Sequence, residues 1–249
     1  MTDLTILHTN DLHGKLSDRA AETIARERSS SGPYLLLDAG DAVSSGNVYY
    51  RPGGEPILAR MSELGYDALA LGNREFHFLG AGLRSKVKLA DFPILCANLR
   101  SKDSDIVPSV RPSAEFDVVG RKVVVFGLTV PMIKPRTAAA KISPFWFEDP
   151  LAAAAKLVPE LRRQADLLIA LTHMGLPLDM ELAKEAPGID LIVGGHSHNA
   201  LSEPAVVGDT AIVHAGWWGH YLGQVHVSFR DTGRPVVESR LLDLRQARE

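Results

Sequence analysis

What a chain like this can fold into is limited most by six short, almost unbroken apolar runs, at residues 4–8, 34–37, 68–71, 123–128, 167–171 and 189–193. A strand with one wet face alternates apolar and polar residues, whereas a strand covered on both faces has no need to. These runs therefore read as strands of a largely parallel sheet with helices packed over it. Helical patterns fill the gaps. Residues 19–28 and 55–64 space their apolar positions at three and four, and the second stops at Gly65, a helix-ending residue. Glu148-Asp149-Pro150 offers a cap and a first-turn proline to a helix over residues 151–164, in which Pro159 predicts a kink or a break. Beyond residue 205 strand patterns follow one another at 211–215, 222–229 and 235–242, which predicts an antiparallel or mixed second sheet. The layout leads us to expect two sheets packed together with helices outside, although periodicity alone yields only an α/β chain.

Most of the runs lead into a short polar cluster. In order these are Asp11-Leu12-His13-Gly14, Gly40-Asp41, Gly72-Asn73-Arg74-Glu75, His173 in Thr-His-Met-Gly, and Gly194-Gly195-His196-Ser197-His198. Singly, each has a plain explanation: Asp11 as a turn or cap residue, Asn73 as a left-handed residue, His173 as a satisfied core histidine. Their glycines fit tight turns or close backbone approach. Jointly they point elsewhere, because an open α/β sheet gathers its strand ends along one edge, where ligands bind. Two Asp, one Asn and four His (Asp11, Asp41, Asn73, His13, His173, His196, His198) offer oxygen and imidazole donors for a pair of divalent cations. Such mixed donors suit Mn, Zn, Fe or Co.

The run from Ile6 to Gly14, Ile-Leu-His-Thr-Asn-Asp-Leu-His-Gly, with the later clusters in the same order, resembles the metallophosphatase domain of the 5'-nucleotidases. These belong to the calcineurin-like metallophosphoesterases. The likeness covers nearly the whole chain. Phe92-Pro93-Ile94-Leu95-Cys96-Ala97-Asn98 is similar to the family's strand ending in Ala-Asn, and His214-Ala215-Gly216-Trp217-Trp218-Gly219-His220-Tyr221-Leu222-Gly223 to its last motif. The resemblance implies a four-layer αββα sandwich of two mixed sheets flanked by helices. It implies Asp11, His13 and His198 on one metal, Asn73, His173 and His196 on the other, and Asp41 bridging both. A bridging carboxylate offsets the repulsion of cations held roughly 3.5–4 Å apart. The expected reaction is hydrolysis of a small phosphate monoester, nucleotide-like or other, by in-line attack of a metal-bridging hydroxide. Two alternatives stand beside it: a phosphodiesterase for a small diester, and a metal-binding protein that holds a phosphorylated ligand with little catalysis.

The third cluster departs from the family. Relatives usually read Gly-Asn-His-Glu-Phe-Asp, whose His and Asp form a catalytic dyad near the leaving group; this chain reads Gly72-Asn73-Arg74-Glu75-Phe76-His77. Arginine, with a pKa above about 12, is no general acid near neutrality, but it can hold a phosphoryl oxygen. One reading divides the work: three residues apart, the two would share a face in a helical turn, with Arg74 stabilising transition-state charge and His77 protonating the leaving oxygen. The other leaves Arg74 solvated and His77 packed. For recognition there remain Tyr49, Tyr50, Trp217 and Trp218, although packing is the ordinary role of such rings. His214 and His220 are open in the same way.

Composition closes off other classes. The 249 residues carry a net charge of -3 and no basic block, giving no track for a nucleic-acid polymer and no footing on an anionic membrane. A hydrophobic content of 45% without linker-like or repetitive tracts leads us to expect one domain over residues 1–249. That domain would lack the C-terminal nucleotide-specificity domain usual in the resembled family. No apolar run reaches the roughly 20 residues that span a bilayer, and Met1-Thr2-Asp3 enters a strand pattern without a secretory signal. The expectation is a cytoplasmic protein whose partner is a small phosphorylated substrate. Cys96, the only cysteine, reads as a small buried hydrophobe. Residues 100–112 read as an ordinary loop.

Overall fold

Side chains that alternate along a strand must find two different apolar surroundings, and that requirement sorts this chain into layers. A computed structural model of the chain describes residues 3–103, 107, 109–229 and 234–245. The first half contains β1 (Asp3–Thr9), α1 (Asp18–Ser30), β2 (Tyr34–Asp38), α2 (Pro56–Glu63), β3 (Ala68–Ala70), α3 (Gly80–Val87), β4 (Ile94–Leu95) and β5 (Leu99–Ser101). Next come β6 (Ser113–Val118), β7 (Arg121–Thr129), α4 (Ala138–Ile142), β8 (Phe145–Phe147), α5 (Pro150–Arg162), β9 (Leu167–His173), α6 (Leu176–Glu185) and β10 (Leu191–Gly194). The chain closes with β11 (Ala205–Val207), β12 (Thr210–His214), β13 (Tyr221–Ser228) and β14 (Val236–Asp243).

Two six-stranded sheets result, ordered β14-β13-β1-β2-β3-β4 and β11-β12-β10-β9-β7-β6, with β5 and β8 as a separate antiparallel ribbon. Between the sheets lie Leu4, Ile6, Leu35 and Leu37 from one and Val123, Val125, Leu167 and Ile169 from the other. The intervening residues face outward. Leu7, Leu36 and Leu69 pack under Ile24, Leu58, Met61 and Leu83 of the first three helices. On the far side Val124, Phe126, Leu168 and Ala170 meet Ala154, Val158 and Leu182 of α5 and α6. Three apolar layers between four structural ones make the αββα sandwich. Each fully buried aliphatic side chain contributes roughly 1.5–3 kcal/mol. A one-residue slip of β1 would exchange its two apolar faces, so its register, and the place where Asp11 and His13 emerge, is held firmly.

The C-terminal strands correct one expectation. They form no sheet of their own: β11 and β12 join the second sheet, centred on β7, β9 and β10, with β12 parallel to β10, while β13 pairs antiparallel with β1 in the first sheet and β14 pairs antiparallel with β13 at its edge. Alternation marks a strand but not its partner. Pro159 lies inside α5 without ending it: both Pro159 and Ala155, whose carbonyl loses its usual partner, are exposed, so water can serve that oxygen. Asp149 caps that helix, its Oδ1 accepting from Ala152 N at 3.0 Å, and Gly65 takes φ 73° after α2, both as anticipated. Of residues 100–112, Arg111 bridges to Leu95 and residues 104–106 and 108 lie outside the described residues. Cys96 is buried, and burial pushes its thiol up to about 12. Among the described residues no helix is long and apolar enough to cross a membrane.

Candidate metal centre

β1, β2 and β3 run parallel in one sheet and β9 and β10 in the other; His173 ends β9, and the loops after the other four strands bring the remaining six predicted ligands to the same place. They form two nests. In the first, His13 Nε2 lies 3.1 Å from His198 Nε2, and Asp11 Oδ1 is 3.7 and 3.3 Å from those nitrogens. In the second, Asn73 Oδ1 is 3.2 Å from His173 Nε2 and 3.1 Å from His196 Nδ1, and these nitrogens are 3.2 Å apart. Asp41 stands between the nests, Oδ1 at 3.4 Å from His173 Nε2 and Oδ2 at 4.0 Å from His13 Nδ1.

The donors fit divalent cations on structural grounds. Asp11 is fully buried; its Oδ2 accepts from Asn10 Nδ2 and His196 N, both at 2.8 Å, but its buried Oδ1 receives no hydrogen bond among the described residues. A buried carboxylate oxygen without a donor is costly unless a cation faces it. His173 Nδ1 donates to Ala39 O at 2.8 Å, which leaves the Nε2 lone pair aimed at the nest. Five of the seven predicted ligands, Asp11, His13, Asp41, His196 and His198, have φ between 49° and 78°. Non-glycine residues rarely adopt that conformation, and it persists where surrounding structure enforces it for a site.

Charge tuning follows the same geometry. Burial would raise the Asp41 pKa, but the bond from His173 outweighs it and holds the carboxyl below the ordinary range. Burial would lower His173, but Asp41 and Asp11 outweigh it and raise its pKa to about 9, so protons and cations compete for this nitrogen. His13 and His196 are lowered, first by burial and then by Arg74 and His173 respectively, toward the neutral form that ligates metals.

Beneath the ligands lies support to which the sequence reading gave no role. Glu75 is fully buried, and its carboxylate accepts from Asp41 N at 2.8 Å, Gly72 N at 2.9 Å and Val43 N at 3.0 Å, tying two clusters together. Burial first, then the Asp41 charge, push its pKa up to about 7. Gly72 is required by this closeness, since a Cβ there would lie 2.2 Å from Asp41 N. The fully buried Lys86 of α3 donates to Gly46 O at 2.8 Å and to Arg74 O, joining the loop after Asp41 to the third cluster. His214 is buried too, its Nε2 2.8 Å from Asp179 Oδ2. Glu75 stood in view inside a motif; Lys86 and Asp179 had no signal at all.

The third cluster separates its two catalytic candidates. Arg74 N donates to Asp41 Oδ1 at 2.7 Å, its Nε is 3.5 Å from Asp41 Oδ2, and its Nη1 donates to Ser44 O at 2.7 Å. His77 is buried; its Nδ1 accepts from Leu79 N at 3.0 Å, its ring stacks on Phe78 at 4.8 Å, and Tyr50 meets it edge-on at 5.0 Å. Residues 73–75 form a turn and not a helix, so a spacing of three does not put Arg74 and His77 on one face. Among the described residues no hydrogen bond or ion pair joins His77 to Arg74 or to the seven ligands. Tyr49 is exposed.

A centre of this kind at the strand ends of a two-sheet sandwich defines a class, and comparison with known proteins gives it a name. Residues 4–200 match the calcineurin-like phosphoesterases, a family of hydrolases, and the chain belongs to it. Within that family it corresponds to the N-terminal domain of the 5'-nucleotidases. The trifunctional nucleotide phosphoesterase protein YfkN of Bacillus subtilis (strain 168) is 34% identical over 271 residues, which cover 93% of this chain and 18% of that protein. The 5'-nucleotidase of Vibrio cholerae serotype O1 is 32% identical over 283 residues, covering 96% of this chain and 51% of the relative. The crystal structure of the 5'-nucleotidase precursor from Thermus thermophilus superposes with a TM-score of 0.81 at 28% identity, over 97% of this chain and 54% of that one. The chain thus spans about half the length, or less, of the curated relatives it matches.

Proposed function

We propose that this chain hydrolyses small phosphate monoesters, nucleotide-like ones among them, with a pair of divalent cations held by Asp11, His13, Asp41, Asn73, His173, His196 and His198. The observation that carries this reading is Asp41, placed between two nests of donors with one carboxylate oxygen toward each. Bound there, such ions supply Lewis acidity toward phosphoryl oxygens and bring the pKa of a water nucleophile toward neutrality. The protein's own groups do the rest. Asp41 and Asp11 supply negative charge between and beside the cations, and Glu75 keeps the Asp41 and Asn73 loops in register. Arg74, anchored by Ser44 O and Asp41, is one-third exposed at 35% and presents its remaining donors to a phosphoryl oxygen as charge develops. Its charge suits the dianion of a monoester over the single charge of a diester. Proton delivery by His77 lacks comparable support: its ring is held by Leu79 N–H at Nδ1 and by the Val48 backbone, and among the described residues no hydrogen bond or ion pair joins it to Arg74 or to the seven predicted ligands.

The test is hydrolysis by metal-stripped protein after adding back Mn, Zn, Co or Mg, on nitrophenyl phosphate and its bis-ester, with Asp41→Asn as control. Turnover of the monoester should return with metal and fall at least about 10³-fold in the variant. A clear preference for the bis-ester would overturn the monoester assignment, and metal binding without turnover on either would make the chain a phosphate-ligand binder.

A further inference from the structure

A lysine enclosed in the core is costly unless the N–H groups of its ammonium are all engaged. Lys86 is fully buried on α3, whose Leu83 and Val87 fix the helix in the outer apolar layer. Among the described residues no ion pair engages its Nζ; the ammonium donates to Ser45 O at 3.4 Å, to Gly46 O at 2.8 Å and to Arg74 O. Three donors thus meet three carbonyls. A methionine would fill the same space without that cost, so packing alone does not account for the charge. The carbonyls themselves show what the charge joins. Ser44 O, one residue before Ser45, accepts from Arg74 Nη1 at 2.7 Å. The same ammonium therefore grips the main chain at the root of the Arg74 side chain and the loop on which its tip rests. That loop is tied again further on, where the His77 ring bonds the Val48 backbone. A Cβ at Gly82 of α3 would lie 2.2 Å from His77 Nδ1, so the helix keeps a place for this ring.

We infer that Lys86 is the positioning residue of Arg74: its ammonium holds the root of that side chain and the support of its tip at a fixed separation, so that the guanidinium stands ready where it meets a phosphoryl oxygen. The inference rests on the phosphate-monoester reading above. A long arginine side chain at the rim would otherwise sample many rotamers. Charge fixed in advance is effective because it needs no rearrangement as the transition state forms, and a shift of about 1 Å caused by a change far from the chemistry can cost about 10²-fold in rate. Among the described residues the ammonium bonds none of the seven predicted ligands, so its route to the reaction runs through Arg74 and the loop beneath its tip. A lysine that served the scaffold alone would matter equally with or without the guanidinium. A positioning lysine loses its purpose once the guanidinium is gone.

A double-mutant cycle on metal-loaded protein separates the two. Lys86→Met keeps most of the side-chain volume and removes the charge; Lys86→Gln, which retains an N–H donor, takes its place in the cycle if the methionine variant does not fold. On nitrophenyl phosphate, Lys86→Met should lower kcat about tenfold with KM within about twofold, and in an Arg74→Ala background the same change should alter kcat by less than about twofold. Urea midpoints should fall by the same amount in both backgrounds, since the carbonyls lose their donor either way. An equal loss of kcat with and without Arg74 would overturn the assignment and make Lys86 a scaffold residue, with the phosphatase reading left standing. A wild type that hydrolyses no monoester would instead overturn the phosphatase reading. The same cycle, read calorimetrically as affinity for inorganic phosphate, then decides Lys86: a loss that vanishes without Arg74 upholds it, and equal losses, or no phosphate binding by wild type, overturn it.

Discussion

The floor of the site and its rim differ in how they are held. On the floor, Asp11 and His173 are fully buried at the ends of strands whose register the core enforces, and their second oxygen or nitrogen is engaged by Asn10, His196 N or Ala39 O. On the rim, Arg74 and Trp218 stand in loops, about a third to two-fifths exposed, and each is fixed by a few contacts to backbone oxygen or to a neighbouring ring. Left-handed backbone occurs in both, at Asp11 on the floor, where packing opposes its relaxation, and at Trp218 on the rim, whose backbone N–H is held by Asp11 O. A change at the rim disturbs little else. Chemistry shared across a family therefore belongs to the floor, and the choice of substrate to the rim.

Arg74 tests that division most strongly. Its hold on Asp41 is partly through the main-chain N–H, which survives substitution, so Arg74→Ala should lower kcat/KM by about 10²–10³ with metal affinity unchanged. Arg74→Lys should recover only part, since an ammonium lacks the planar fork. Kinetics and metal titration on the same preparations check both. A fall in metal affinity that matched the fall in rate would place Arg74 on the floor and collapse the comparison. In the same assay His77→Ala should affect nitrophenyl and alkyl phosphates equally; a loss confined to the alkyl substrate would reinstate His77 as the proton donor.

Glu75 sharpens the contrast from the other side. It touches no substrate-facing surface, yet it accepts three N–H bonds from the loops that carry Asp41 and Asn73. In Glu75→Gln one oxygen becomes an amide nitrogen facing N–H donors. We expect metal affinity to fall about 10–100-fold and stability by about 1–3 kcal/mol, read by calorimetric metal titration and urea unfolding. Lower stability with full metal affinity would mean that Glu75 serves the scaffold alone.

The parts legible in the sequence were those whose cause is local. In β1 the buried run and the Asp11 and His13 cluster are contiguous, so one stretch of chain declared both a strand and what its end carries. The αββα layering was legible only by resemblance, because alternation in β13 says that Leu222, Val225 and Val227 are covered without saying that β1 covers one edge. Lys86 reads as an ordinary surface lysine until α3 brings it under carbonyls of two loops. Asp179 becomes meaningful only when α6 sets it against His214 from β12. The spacing of Arg74 and His77 misled because it assumes a helix, whereas three carbonyl-bound and carboxylate-bound N–H groups bend those residues into a turn.

His8, one layer beneath the floor, carries the smallest and most specific prediction. It faces Gly223 across the strand pair, where a Cβ would fall 1.9 Å from its Nε2, and its Nδ1 is buried without a hydrogen-bond partner among the described residues. Burial first, then His214, lower its pKa to about 3. In the unfolded chain a histidine titrates near 6.5, so between those values the unfolded state binds more protons than the folded one. The stability linked to neutral His8 is fully present above pH 6.5 and is lost as the pH falls toward 3. The loss is about 1 kcal/mol over the first unit below 6.5. His8→Leu keeps the apolar volume and cannot take up a proton. The difference in unfolding free energy between wild type and His8→Leu, measured metal-free in urea, should be flat above pH 6.5 and shift toward the variant below it. Parallel curves down to pH 5 would show that His8 accepts its proton while folded. The layer under the ligands would then be wetter than its packing implies, and the floor would differ from the rim in position but not in dryness.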